Sequence, residues 1–222
     1  WNLKWQSSKS GNKSKILNKS MADIFIISAP SGAGKSSLID ALIEKDIRLK
    51  KSVSVTTRPP REGELHGKHY VFTDDADFQK RLNNGEFLEY AQVHGNWYGT
   101  SKVLVESEMK NNNDLILEID YQGAQVVRSL YTASISIFIL PPSKALLRSR
   151  LEKRNTDNAT TIEQRLGAAS TEIAHITEYQ YVTINDNFDD ALADIQAIVR
   201  STRLSAHSHE GERIVKDFLK DD

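Results

Sequence analysis

The chain has 222 residues, no cysteine and a formal charge of −1, which suits one sizeable α/β domain with insertions or two small domains and excludes disulfides and thiolate nucleophiles. No apolar stretch approaches the ~20 residues needed to cross a bilayer. The charge is divided: residues 1–20 carry Lys4, Lys9, Lys13, Lys15 and Lys19 and no acid, +5, which leaves −6 for residues 21–222. An acidic body argues against a general nucleic-acid binder, so anion recognition has to be local.

Residues 1–20 are rich in Ser, Asn and Lys and lack an apolar period, so they read as a disordered leader outside the fold, with Met21 as the native start. The run Ile24-Phe25-Ile26-Ile27 reads as a buried strand, and Leu38-Ile39-Asp40-Ala41-Leu42-Ile43 as a helix. Between them lies Ser28-Ala29-Pro30-Ser31-Gly32-Ala33-Gly34-Lys35-Ser36-Ser37. A strand, a glycine-containing loop ending in Lys-Ser and a helix start are the context of a phosphate-binding P-loop. Its amides and the helix N-terminus cradle an anion, Lys35 reaches the terminal phosphates, and the Ser36 hydroxyl suits Mg²⁺. Ala29 stands where the first glycine of that pattern is usual.

Ser52-Val53-Ser54-Val55-Thr56-Thr57 alternates as a short strand and runs into a loop bearing Arg58, Pro59, Pro60, Arg61 and Gly63. Gly67 to Phe72 is expected to be a strand, and a helix starts at Thr73–Asp77 with Phe78 and Leu82 on one face and Gly85 as its stop. Phe87–Ala91 and His94–Thr100 complete a small strand-rich insertion over residues 52–100. The main sheet resumes with Asp114–Asp120 and Ser134–Leu140, stopped by Pro141-Pro142. An arginine-rich helix, Lys144–Arg154, precedes a polar loop from Asn155 to Thr160 and an amphipathic helix through Ile162, Leu166, Ala169, Ile173 and Ile176. A strand at Tyr181–Ile184 and a helix through Phe188, Leu192, Ile195 and Val199 close the fold, with a polar, mobile tail from Ser205. Strands separated by helices indicate a mostly parallel sheet covered on both faces, a three-layer P-loop α/β fold.

Three groups carry chemistry. Two arginines in a proline-stiffened loop, Arg58 and Arg61, suit bidentate capture of a phosphate. Glu64, Tyr70, Glu89, Tyr98 and Thr100 gather in the same insertion. A carboxylate there accepts from the N1–H and amine of guanine but finds no N1 donor on adenine. Asp120 ends a buried strand, the acid that complements a P-loop metal. Arg150, Arg154 and Arg165 form a second basic group suited to the charge of a transferring phosphoryl, while Arg148 reads as a solvated helix face. The pairs His66/His69 and His207/His209 lack the further ligands that zinc needs.

Taken together, the ordered matches resemble the guanylate kinase family, bacterial members above all, from about Ile24 to about Arg203. The matching text is the loop from Ser28 to Ser37, Ser54-Val-Thr-Thr-Arg58-Pro-Pro-Arg61-x-Gly-Glu64, Gly67-Lys-His-Tyr70 and Phe87-Leu-Glu89. It continues through Gly95-Asn-Trp-Tyr98-Gly-Thr100, Ile119-Asp120-Tyr-Gln-Gly123 and Ile139-Leu-Pro-Pro-Ser143. The resemblance implies ATP and GMP as substrates with Mg²⁺, a cytoplasmic location, and no nucleic-acid or membrane partner; a homo-oligomer is compatible but not derivable. It implies a domain over residues 21–204 with a core (21–51, 101–143, 167–204), a GMP-binding insertion (52–100) and a lid (about 144–166), between the leader and a tail at 205–222. Ala29 to Ser37 and Asn185, the latter near the adenine, would bind ATP. Ser54, Arg58, Arg61 and Tyr70, helped by Tyr98, would hold the GMP phosphate. Glu89 and Thr100, with Glu64 nearby, would read the guanine, and Asp120 would orient GMP or, through water, the metal. Lys35, Arg150, Arg154 and Arg165 would be catalytic.

Two positions depart from the family. Glu118 replaces an aspartate, and Lys153-Arg154-Asn155 replaces Gly-Arg-Gly, which is expected to stiffen the lid hinge. The alternatives are a guanylate-kinase-like protein-binding domain without chemistry, which the retained Lys35, Ser36, Asp120 and lid arginines oppose, and a kinase for another phosphorylated acceptor.

Overall fold

The computed structural model describes residues 22–93, 95–153, 159–205 and 208–220. The expected leader, Met21, Arg154, the polar loop up to Asn158 and His207 lie outside the described residues.

Strand β1 (Ile24–Ser28) is buried on both faces along its whole length. Such a run can only sit at the centre of a sheet covered on both sides. The chain continues through α1 (Lys35–Lys45) to β2 (Leu49–Lys51). Four pieces of a second sheet follow: β3 (Val55–Thr56), β4 (Val71–Phe72), β5 (Phe87–Val93) and β6 (Asn96–Ser101), with α2 (Asp75–Asn83) inserted. The main layer resumes with α3 (Lys102–Lys110), β7 (Asp114–Glu118), α4 (Tyr121–Leu130) and β8 (Ile135–Leu140). Then come α5 (Lys144–Lys153), α6 (Ala159–Ala174), β9 (Tyr181–Ile184), α7 (Phe188–Leu204) and α8 (His209–Phe218).

The first sheet has the order β2-β7-β1-β8-β9 and every described pairing in it is parallel. Alternate residues of β1 face opposite layers, as strand geometry requires. Phe25 and Ile27 pack with Leu38, Ile39 and Leu42 of α1 and Leu192, Ile195 and Val199 of α7. Ile24 and Ile26 pack with Val105 of α3 and Ala124 and Val127 of α4. The result is the three-layer α/β arrangement expected for a P-loop protein.

The second sheet has the order β4-β3-β6-β5 and mixes parallel and antiparallel pairs. Its small core is Val55, Phe78 and Phe87, with Phe78 stacked on Phe87 at 4.6 Å between ring centroids. Gly99 is required there, because a Cβ would lie 2.8 Å from the Phe87 ring.

Several elements differ from expectation. The strand expected from Gly67 shrinks to β4, preceded by a single bridge between His66 and Tyr70. Neither β2, α3 nor α4 was anticipated. The polar tail contains α8 rather than a mobile stretch; Ser208 caps it, its Oγ accepting from the Gly211 N–H at 3.0 Å.

Candidate active site

The site lies at the carboxyl ends of β1, β7 and β9, where parallel α/β sheets bind ligands. At the end of β1 the chain turns through Gly32 at φ 94° and Gly34 at φ 91°, conformations that disfavour any residue with a Cβ. The Ala33 N–H donates to the Pro30 carbonyl at 3.0 Å and closes the turn. Gly32 also lies against α5: a Cβ there would stand 3.0 Å from Leu151 and 3.1 Å from Leu147. The loop then enters α1 at Lys35, so the backbone donors of a helix N-terminus follow directly on the glycine turn.

Facing that helix start is Glu118, at the end of β7. Ser36 Oγ donates to its Oε1 at 2.6 Å, and Lys51 Nζ stands 2.5 Å from its Oε2. Burial alone would raise this carboxyl, but Lys35 and Lys51 outweigh it and hold the group below its ordinary range, hence anionic. An anionic carboxylate sharing a serine hydroxyl is an oxygen donor set that suits a hard divalent cation. Asp120 stands differently. It caps α4, its Oδ1 accepting from the Gly123 N–H at 2.9 Å and its Oδ2 from Gln122 at 3.0 Å.

The second sheet contributes the opposite wall. Arg58 Nη2 donates to both oxygens of Glu64, at 2.8 and 2.9 Å, and Nη1 donates to the Pro59 carbonyl at 2.7 Å. Its guanidinium lies 5.3 Å from the centre of the Tyr70 ring. Glu64 also accepts from the Arg61 N–H at 2.7 Å, which leaves the Arg61 side chain exposed at the rim. Glu64 therefore shapes the arginine loop. Tyr70 meets Tyr98 edge-on at 6.0 Å, and burial, reinforced by the charge of Glu118, pushes its phenol up and keeps it a neutral donor. Ser54 is buried, and its carbonyl accepts from the Val71 N–H at 2.9 Å.

Glu89 is 5% exposed and accepts a short hydrogen bond from Thr100 Oγ1. Burial raises its pKa to about 7, the nearby charge of Asp120 adds to the shift, and Thr100 opposes it. Gly123 makes the position possible, since a Cβ there would fall 2.4 Å from Glu89 Oε2. On α6, Glu172 is also raised to about 7 by burial, with Lys35 opposing and Asp120 adding.

The arginines reach the loop from the other side. Arg165 Nη1 donates to Ser31 Oγ at 3.2 Å. Arg150 Nη2 donates to the Asn185 carbonyl at 2.9 Å, while Nη1 is buried with no partner among the described residues. Arg148 pairs with Glu163 at 2.5 Å on the surface. Asn185 is buried, and its amide donates to the Ala33 carbonyl at 2.7 Å.

Among the described residues, the structure brings Arg165 to Ser31, Arg58 to Glu64 and Tyr70, Thr100 to Glu89, and Asn185 to the phosphate loop and Arg150, whereas the Arg61 side chain is exposed. Lys51 and Glu172 were missed by sequence reasoning. Lys51 carried no local signal, whereas Glu172, seven residues beyond Arg165, shares a helix face with it and could have been found.

Comparison with known proteins is consistent along the chain. Residues 21–202 match the family model described as guanylate kinase. A guanylate kinase of Methylobacillus flagellatus is 58% identical over 182 residues, covering 82% of this chain and 90% of that protein. One from Paraburkholderia xenovorans is 52% identical over 181 residues, covering 82% and 80%. The crystal structure of guanylate kinase from Anaplasma phagocytophilum superposes with a TM-score of 0.72 at 34% identity, covering 86% of this chain and 90% of that one.

Proposed function

The chain belongs to the guanylate kinase family, and from that premise we propose how its residues divide the work of an ATP:GMP phosphotransferase. The enzyme transfers the γ-phosphoryl group of ATP to GMP, giving ADP and GDP. An oxygen of the GMP phosphate attacks the γ-phosphorus in line, the bond to the β-phosphate oxygen breaks, and the ADP oxygen leaves with the electron pair. No covalent enzyme intermediate is needed, so the protein acts by positioning and by neutralising charge.

Residues 29–37 cradle the triphosphate, with Lys35 on its terminal phosphates. Arg150, Arg154 and Arg165 close over the transferring group from the lid, residues 144–166. Ser54, Arg58, Arg61, Tyr70 and Tyr98, within the insertion 52–100, hold the GMP phosphate, and Glu64 keeps Arg58 aimed. Ser36 and Glu118 would hold Mg²⁺, which supplies charge neutralisation at the phosphates. Glu118 meets the Ser36 hydroxyl directly, whereas the Asp120 oxygens meet Gly123 and Gln122 in the first turn of α4. No described helix is long and apolar enough to cross a membrane, and we place the reaction in the cytoplasm, with dGMP as a second acceptor.

One observation carries the choice of acceptor: Glu89, buried, pinned by Thr100 and backed by the α4 N-terminus, is the group that reads guanine. A coupled assay of ADP release with GMP, dGMP, AMP and UMP tests it. GMP and dGMP should react, and AMP should fall behind by roughly 10⁴ in kcat/KM. Comparable turnover of AMP would remove Glu89 from the reading role.

A further inference from the structure

Asn185 follows directly on β9, and its N–H donates to the Leu140 carbonyl at 2.8 Å, which fixes it to the end of the sheet. From there its side-chain amide donates to the Ala33 carbonyl at 2.7 Å, across 152 residues of chain. The fit depends on Gly34: a Cβ at that left-handed position would stand 2.3 Å from Asn185 Nδ2. The amide thus fills the space that the missing side chain leaves. The main chain of the same residue accepts from Arg150 Nη2 at 2.9 Å. Asn185 therefore joins the phosphate loop through its side chain to a lid arginine through its backbone.

The geometry points to Asn185 as a positioning residue for the triphosphate: it holds the Ala33 carbonyl, fixes the curvature of the phosphate loop and ties Arg150 to it. The inference rests on the reading of that loop as the triphosphate cradle. It differs from an adenine contact, because the amide proton in question is spent on the protein. The two roles make different demands on the ligand. A brace acts on any chain of phosphates, whereas a base contact acts only on a ligand that has the base.

Equilibrium binding of ATP, inorganic tripolyphosphate and GMP, each with Mg²⁺, to the wild type, Asn185→Ala and Asn185→Asp separates them. Asn185→Ala keeps the backbone acceptor for Arg150 and removes only the bond to Ala33. ATP and tripolyphosphate should weaken by the same factor, about tenfold, the scale of one lost buried hydrogen bond. GMP affinity should stay within about twofold, which a general loss of fold would not allow. Asn185→Asp should be worse, since its carboxylate faces a carbonyl oxygen. Should Asn185→Ala not fold, Asn185→Ser, whose hydroxyl can still donate, carries the same comparison with a smaller factor. Weakening of ATP alone, or of neither polyphosphate, overturns the inference. Failure of the wild type to bind either ATP or tripolyphosphate would overturn the cradle reading itself.

Discussion

The two halves of the cleft, assigned above to donor and acceptor, are built by different means. The phosphate loop is backbone: two left-handed glycines, a carbonyl-closed turn and a helix start, braced by Asn185 and Leu151. The acceptor wall is side chain: an arginine held by Glu64, two tyrosines, and a buried carboxyl raised to about 7. Backbone donors do not titrate, so the loop itself keeps its charge pattern across neutral pH, although burial raises Glu172, which senses the Lys35 charge, to about 7, as it does Glu89. The acceptor half changes its charge within that range. On the GMP side the titrating group is the one proposed to touch the ligand itself.

The largest effect that breaks this contrast is Lys35→Ala, which removes the one cation of the loop. Turnover should fall about 10³-fold with the circular dichroism spectrum unchanged. Near wild-type turnover would refute the role given to Lys35.

Glu89→Gln comes next, and it moves activity and stability in opposite directions. kcat/KM for GMP should drop about 10²-fold, because the amide cannot accept from two guanine donors. The folded-state pKa of about 7 lies above the ordinary 4.5. A raised carboxyl contributes stability that is fully present below pH ~4.5 and is lost as pH rises through about 7. At pH 8 the neutral variant should therefore be more stable than the wild type by on the order of 2–3 kcal/mol, with no gain near pH 4.5. Denaturant melts at the two pH values measure this. In the wild type, KM for GMP should rise as pH falls below about 7, and Glu89→Gln should abolish that rise. The smallest expected change belongs to Arg148→Ala, which removes an exposed pair with Glu163. No measurable shift in melting temperature or kcat is expected.

Legibility in the sequence followed the same division. The loop and its flanking elements were readable because an apolar run, two glycines and Lys-Ser are contiguous. Shorter or mixed elements hid: β2 is three residues long, α3 buries only Val105, and α4 carries Gly123 in its first turn, which reads as a breaker. The pairing of Lys51 with Glu118 needs the parallel register that sets Lys51 against Ile116, two residues from Glu118 on the same face. No local pattern encodes that register. Asp120 was expected to end the strand, yet β7 stops at Glu118 and Asp120 caps a helix that the sequence did not announce.

Gly32 has one more consequence. Leu147 and Leu151, both essentially inaccessible to solvent, occupy the side where its Cβ would stand, so one flank of the phosphate loop is lined by apolar side chains. Water that hydrolyses a bound triphosphate would then arrive on the polar flank, where Arg58 and Tyr70 stand. Under the assignment proposed above, GMP occupies that approach. The acceptor is then also the stopper of the site, and the idle hydrolysis of ATP becomes a direct gauge of how often the stopper is out.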